Sequence, residues 1–411
     1  MKQQIRTVPT SSVGLLYAAR GMRGFGDGFA IIVLPAYLTA IGYGSVQIGV
    51  VAAVSLFGTA LLTLLTGIVA ARYDLRTLFL LGATLMAVTG LVFPNTEHLV
   101  LLMLVAFVGT INPATGDLGV LVPIEHAMLA HGASDEERTK VFARYSLIGA
   151  LSMAAGALAA ALPDFLVLTG ISQIGAFRMM FYAYALLGVV NVAIYQYLPR
   201  VHAEERKYGA PLGPSRGVVY KLAALFSLDA FAGGFVVQSL LALWLFERFN
   251  LSISAAAVFF FWASVLSAFS YPVAARLATR IGLINTMVFT HIPSSILLIL
   301  AAFSPNLYVT LGLLLMRSAL SQMDVPTRTS YVMAVVTPAE RAAAASFTAV
   351  PRSLASAISP VFAGALLATP FSSLPLVLCG ALKIIYDVAL LFSFHHMKPP
   401  EEQTSSTSRK S

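Results

Sequence analysis

Six ionisable residues lie deep inside long apolar stretches: Asp27, Asp117, Asp229, Arg317, Asp324 and Arg352. A charge at the centre of a bilayer costs at least about 2.5–3.5 kcal/mol, so each must face protein or water and each is a candidate for function. A carboxylate in such a place takes up or gives up a proton according to the local dielectric and its basic neighbours. Asp27 sits in Gly24-Phe25-Gly26-Asp27-Gly28, where the glycines allow close backbone approach and some local unwinding. It is the first choice for proton or substrate coupling; the alternative is a structural hydrogen bond to a neighbouring helix. Arg317 suits either an anionic group or a carboxylate held ionised, and Arg352 can partner Asp324 or Asp387.

Other residues are suited to holding the elements in place. Glu125 and Arg328 carry opposite charges at equivalent places in the two halves of the chain, 203 residues apart. They can close an inner gate, or they can be unrelated charges at helix ends. Lys383 and Asp387 are four apart, on one helical face, and are expected to neutralise each other locally. The seven histidines are assigned to loops. His126 and His131 adjoin Glu125, but their five-residue gap puts them on different helix faces, so no metal site is expected. No glycine-rich nucleotide signature is present, which excludes an ATP-driven pump, and no cofactor is implied. Cys379 is the single cysteine, so neither an internal disulfide nor a cysteine metal site is possible.

The elements that carry these residues are dictated by composition. The 411 residues are 58% hydrophobic and 11% charged, against roughly 25% charged in soluble domains. The mean hydropathy is +0.83. Apolar runs of about 20 residues recur along the chain, the length that spans a bilayer, and lipid forces such runs to be helical. The expected fold is an all-α polytopic membrane protein with twelve spans, over 13–40, 46–70, 77–94, 99–124, 141–162, 176–198, 219–246, 253–275, 283–303, 307–328, 343–368 and 372–396. Asn112 and Pro113 are expected to kink the fourth. With the N-terminus inside, 21 of the 26 lysines and arginines fall on the cytoplasmic side, Arg20 and Arg23 among them. Both termini are therefore expected to be cytoplasmic. This spread over membrane-flanking loops, rather than in one patch, argues against nucleic acid as the partner of the net charge of +8.

The chain also repeats itself. Pro123 is followed by Glu137 and Arg138, and Pro326 by Glu340 and Arg341, with the same spacing. Phe25, Gly28 and Phe29 align with Phe231, Gly234 and Phe235 at an offset of 206. Gly67-Ile-Val-Ala-Ala-Arg72-Tyr-Asp74 aligns with Ala275-Arg-Leu-Ala-Thr-Arg280-Ile-Gly282 at 208. Two halves in the same order and orientation imply a pseudo-two-fold axis along the membrane normal. The division expected is a bundle over 1–198, a linker over 199–218, a second bundle over 219–397 and a disordered tail over 398–411.

With six plus six helices and the loop residues Gly67, Val69, Ala70, Arg72 and Arg76, the chain resembles the major facilitator superfamily and its signature G-x-L-A-D-R-x-G-R-K. A weaker copy keeps Leu277, Ala278, Arg280 and Gly282. The signature aspartate is replaced by Ala71 and Thr279; Asp74 is the nearest stand-in. The Gly-Pro motif of the drug/proton antiporter branch is absent from the fifth span. The resemblance implies that helices 1, 4, 7 and 10 line a central cavity and that two bundles rock in alternating access.

The function expected is therefore that of a secondary transporter, not an enzyme. It moves a small solute, with proton coupling and in the direction of efflux; a small anion or inorganic oxyanion is the alternative cargo. A non-transporting membrane receptor or scaffold is the rival from another class. The setting expected is the cytoplasmic membrane, with the chain a multi-pass monomer whose partners are its small-molecule substrate, protons and lipid.

Overall fold

The computed structural model describes residues 10–69, 73–111, 113, 120–131, 135–200, 212–337 and 340–397. Asp117, Arg72 and the expected disordered tail lie outside the described residues, as does most of the expected linker. Every regular element among the described residues is helical. Sixteen α-helices run in order: α1 Thr10–Ala40, α2 Ser45–Val69, α3 Leu75–Val92, α4 Leu99–Val108, α5 Val122–His131, α6 Asp135–Ala159, α7 Leu162–Leu168 and α8 Gln173–Gln196. They continue with α9 Arg216–Gly234, α10 Gln238–Phe249, α11 Ile253–Ile281, α12 Leu283–Phe303, α13 Leu307–Leu320, α14 Asp324–Val335, α15 Arg341–Leu367 and α16 Leu374–Phe394.

Nine helical segments among the described residues are long and apolar enough to cross a membrane. The other three passages fail that measure for physical reasons. The first, α1, carries Arg20, Arg23 and Asp27. The fourth and tenth are broken. The fourth span, expected to be one kinked helix over 99–124, leaves the helix at Gly109, whose backbone is extended (φ −72°, ψ 177°), and the next helix among the described residues begins at Val122. The tenth breaks at Ser321–Met323, just before Pro326 in the first turn of α14, where a missing N–H costs nothing. The seventh is also interrupted, after the pair Gly233-Gly234. By contrast α1 runs unbroken through Asp27, so the unwinding expected of its glycines does not occur.

The other expectation for those glycines holds. A side chain at Gly28 would drive into the backbone carbonyl of Met153, and one at Gly234 into Ser359 Oγ and the carbonyl of Ser356. The two positions are 206 apart, the offset of the sequence repeat. Each lets the first helix of its repeat lie directly on the fifth: α1 on α6, and α9 on α15. The duplication is therefore built into packing as well as sequence.

The chain divides into two compact units. One comprises residues 1–206 with 237–261, the other 207–236 with 262–411. The first is cored by Leu16, Phe79, Met128, Tyr145 and Tyr195, the second by Leu222, Phe226, Met287, Tyr331 and Tyr386. In the first unit Asp164 accepts from the backbone N–H (2.9 Å) and hydroxyl (2.6 Å) of Ser254, and Ser45 donates to Glu247 at 2.6 Å. Large apolar side chains such as Phe165, Leu186, Phe269, Phe289 and Phe392 are exposed, as lipid-facing surface requires.

Candidate functional site

In the first unit the polar centre is built on Glu125, which is fully buried in α5. Arg23 of α1 grips it bidentately, with Nη1 on Oε1 at 2.7 Å and Nη2 on Oε2 at 2.5 Å. Tyr195 of α8 donates to Oε1 at 3.1 Å, and Tyr145 of α6 donates to Oε2. Arg20 lies over the Tyr145 ring at 5.1 Å. Every strong acceptor site on the carboxylate is therefore occupied, the condition under which a buried ion pair is tolerated. Glu125 is not a solvated helix end. Arg23, counted above with the membrane-flanking cations, is instead a buried residue 8% exposed.

One turn further along α1, on the face that carries Arg23, Asp27 is half-buried. Its polar contact is a long hydrogen bond from the Tyr184 hydroxyl, 3.4 Å. Tyr184 in turn pairs with Thr110, 3.0 Å, at the break after α4. Asp27 has no ion pair among the described residues, unlike Glu125, Asp229 and Asp324.

The second unit repeats the arrangement with the charges exchanged. Asp229 of α9 stands 206 residues after Arg23, and Arg328 of α14 stands 203 after Glu125. Arg328 Nη1 donates to Asp229 Oδ2 at 3.3 Å, and its Nη2 donates to Asp324, one turn earlier on α14. Asp229 also accepts from Lys383 Nζ of α16 at 2.6 Å. Lys383 reaches His291 Nε2 of α12 at 3.2 Å, and His291 Nδ1 lies 3.0 and 3.1 Å from the two oxygens of Asp387. An ammonium only donates, so Nε2 is the acceptor and Nδ1 carries the proton donated to Asp387. The histidine therefore bridges Lys383 and Asp387 in the chain Arg328, Asp229, Lys383, His291, Asp387.

Two expectations fail at this point. Lys383 and Asp387 do not neutralise each other; each turns to a partner on another helix, because Asp229 and His291 offer buried, desolvated partners. His291 is not a loop histidine: it is 3% exposed within α12. Its place inside the apolar run 283–303 was the available signal. Arg352 pairs with neither Asp324 nor Asp387, and its Nε is buried without a hydrogen-bond partner among the described residues. Arg317 is half-buried on α13 and has no ion pair among the described residues. Glu125 and Arg328 are each neutralised inside their own unit. Tyr145, Tyr184 and Tyr195 escaped the sequence reading, since a tyrosine in an apolar run gives no pattern of its own.

The loop residues are placed more simply. Gly67 falls in the last turn of α2. Asp74 caps α3, accepting from the Thr77 backbone N–H at 3.1 Å and from its hydroxyl at 2.6 Å. Partial burial raises its proton affinity, but these hydrogen bonds outweigh it and hold the carboxyl below its ordinary range. Arg76 is half-buried in the first turn of α3, and Arg280 is exposed in the last turn of α11. Glu340 is buried beside the start of α9, where it accepts from Ser215 Oγ (2.6 Å), Thr337 Oγ1 (2.7 Å) and the Gly213 backbone N–H. These bonds lower its carboxyl to about 2.

Three kinds of likeness bear on this arrangement. The sequence profile of the Major Facilitator Superfamily matches residues 16–228 and again 222–411, once for each repeat. An uncharacterized membrane protein of Saccharomyces cerevisiae is 24% identical over 93% of this chain and 94% of its own length. Among solved structures, the nucleoside transporter NupG is 13% identical with a TM-score of 0.74, over 93% of this chain and all of that one. The xylose transporter XylE from E. coli, in an inward-open conformation, is 12% identical with a TM-score of 0.72, over 92% and 95%. At such identities the structural likeness shows the fold, and the profile shows the family. The chain belongs to the Major Facilitator Superfamily, a multi-pass membrane transporter of twelve helices in two similar sets of six.

Proposed function

We propose that this transporter is proton-coupled and carries a small solute outward by alternating access, with Asp27 as the coupling carboxylate. The observation that carries the reading is the contrast between Asp27 and its neighbours. Arg23, Glu125, Asp229, Asp324 and Arg328 are each paired with a partner of opposite charge. Asp27 is half-buried and has one long hydrogen bond. A carboxylate so placed is costly when ionised and empty-handed when neutral, so its proton occupancy follows its surroundings.

Broken helices support the same reading. Interrupted spans expose backbone N–H and C=O groups, which are tolerated at membrane depth only against protein or water, and transporters use such groups to hold solutes. The breaks fall in the fourth, seventh and tenth spans. Thr110, which holds Tyr184 against Asp27, stands at the first of them. Asp117, Asp229 and Asp324 belong to the proposed solute-binding group beside the coupling carboxylate Asp27; Gly67, Arg72, Asp74, Arg76 and Arg280 to the loops that govern the conformational change; and Glu125 and Arg328 to the gate, each acting through its own repeat. The proposed setting is the cytoplasmic membrane, with both termini inside and the protein working as a monomer.

The experiment is an imposed pH gradient across proteoliposomes of known orientation, loaded with a panel of nucleosides, sugars and organic acids. The reading expects movement of at least one solute against its gradient, driven by protons flowing the opposite way. Solute flux that ignores the pH gradient refutes coupling. Absence of flux for the whole panel, from folded protein, favours the receptor or scaffold.

A further inference from the structure

The second unit holds more cations than its acids can neutralise. Arg328 and Lys383 are matched by Asp324 and Asp229. Asp387 is held by His291. Arg317 and Arg352 are left over, and neither has an ion pair or a side-chain hydrogen bond among the described residues. In the first unit the buried Arg23 has its full counter-charge in Glu125.

Both spare guanidiniums lie well inside their spans. Arg317 is ten residues from the start of α13 and Arg352 eleven from the start of α15, roughly 15 Å and 16 Å along the helix axis. Both face protein. Arg352 is within electrostatic reach of Arg328, Asp229 and Asp324, and Arg317 within reach of buried Cys379 on α16. Uncompensated charge at that depth is unfavourable unless another charge is supplied.

We infer that the solute supplies it: the cargo carries an anionic oxygen group, a carboxylate or a phosphate, bound by Arg352, with Arg317 adding positive charge within the same unit. This inference rests on the transport reading above and gives its substrate a chemical class. Arginine rather than lysine at both positions fits, because the planar fork of N–H donors matches two oxygens of a carboxylate or phosphate at once. Arg352 brings an Nε–H that has no hydrogen-bond partner among the described residues.

The test is thermal stabilisation of the purified full chain in detergent, with no membrane and no gradient. The probes are lactate, succinate, inorganic phosphate and glucose 6-phosphate, against uridine and xylose, all at matched ionic strength. Saturable stabilisation by at least one of the four anions, with none from uridine or xylose, is expected. Arg352→Gln should weaken the apparent affinity for that anion at least tenfold, and Arg317→Gln should weaken it too. Arg352→Lys, which keeps the charge and loses the fork, should fall between wild type and Arg352→Gln. Size-exclusion profiles identify any variant that fails to fold, and the remaining variants then decide. The inference is overturned if none of the anions stabilises the protein, if an uncharged probe does so equally, or if Arg352→Gln binds like wild type. Anion binding with no transport in vesicles overturns the transport reading alone.

Discussion

Exchanging the charges of Arg23 and Glu125 should be far less damaging than losing either one. Glu125→Gln leaves Arg23 buried without its counter-charge and weakens the hydrogen bonds from Tyr145 and Tyr195. Arg23→Gln leaves the carboxylate buried on two tyrosines. Breaking a buried pair from one side costs about 3–5 kcal/mol. In a unit of some 200 residues each kcal/mol moves the melting temperature by roughly 2–4 °C, so either single change should lower it by roughly 6–20 °C. The double variant Arg23→Glu with Glu125→Arg restores a pair with the polarity of Asp229 and Arg328, which the same framework already accommodates. Both tyrosine hydroxyls can accept from an arginine, so the local hydrogen bonds can reform. The measurement is a double-mutant cycle through the single changes Arg23→Glu and Glu125→Arg, each of which puts two like charges together, read by thermal unfolding in detergent. The reasoning expects a coupling energy of at least about 2 kcal/mol. A double variant as unstable as the sum of the two singles would refute the equivalence of the two pairs.

The other predictions concern distinct parts of the molecule. His291→Gln can keep both hydrogen bonds, its carbonyl accepting from Lys383 and its amide donating to Asp387, and should unfold near the wild-type temperature, whereas His291→Leu strands both partners and should unfold several degrees lower; equal unfolding temperatures for the two variants would refute the bridging role. Gly28→Val and Gly234→Val should each abolish recovery of monodisperse protein, because the added side chain meets backbone on α6 or α15, whereas Gly217→Ala, with open space around it, should raise stability by up to about 1 kcal/mol. Glu340 has a lowered carboxyl, so the stability it contributes is fully present above its unfolded value of about 4.5 and is lost as pH falls toward about 2. Hydrogen exchange at residues 212–216 should therefore accelerate over that range in the wild type and be fast and pH-independent, after correction for intrinsic rates, in Glu340→Ala.

Much of the architecture was legible because the bilayer leaves few options. Span number, repeat and family follow from apolar run lengths and from the offsets near 203–208, and the equivalent glycines Gly28 and Gly234 were already paired by the offset of 206. The charge network was legible only in part. The residues that stand inside the spans were recognised, but their partners were not, since partnership depends on which helices pack together. Lys383 illustrates this: four residues from Asp387 on one helix, it is drawn to Asp229 on another because that carboxylate lies buried within reach. Arg23 was hidden by its nearness to the N-terminus, which made it look like a membrane-flanking cation. The offset of 206 that maps it onto Asp229 held the correction. The breaks in the seventh and tenth spans were marked only by Gly233-Gly234 and Pro326, signals too common in membrane helices to decide the matter alone.

The central claim, that Asp27 couples proton movement to solute movement, is tested most directly by comparing two fluxes in one preparation. Proteoliposomes holding wild type or Asp27→Asn are assayed for solute exchange at equal pH and for solute-dependent proton flux with an internal pH dye. The account predicts that Asp27→Asn, which preserves shape and mimics the protonated acid, retains exchange and loses the proton flux. Solute-dependent proton flux equal to wild type in Asp27→Asn would contradict it.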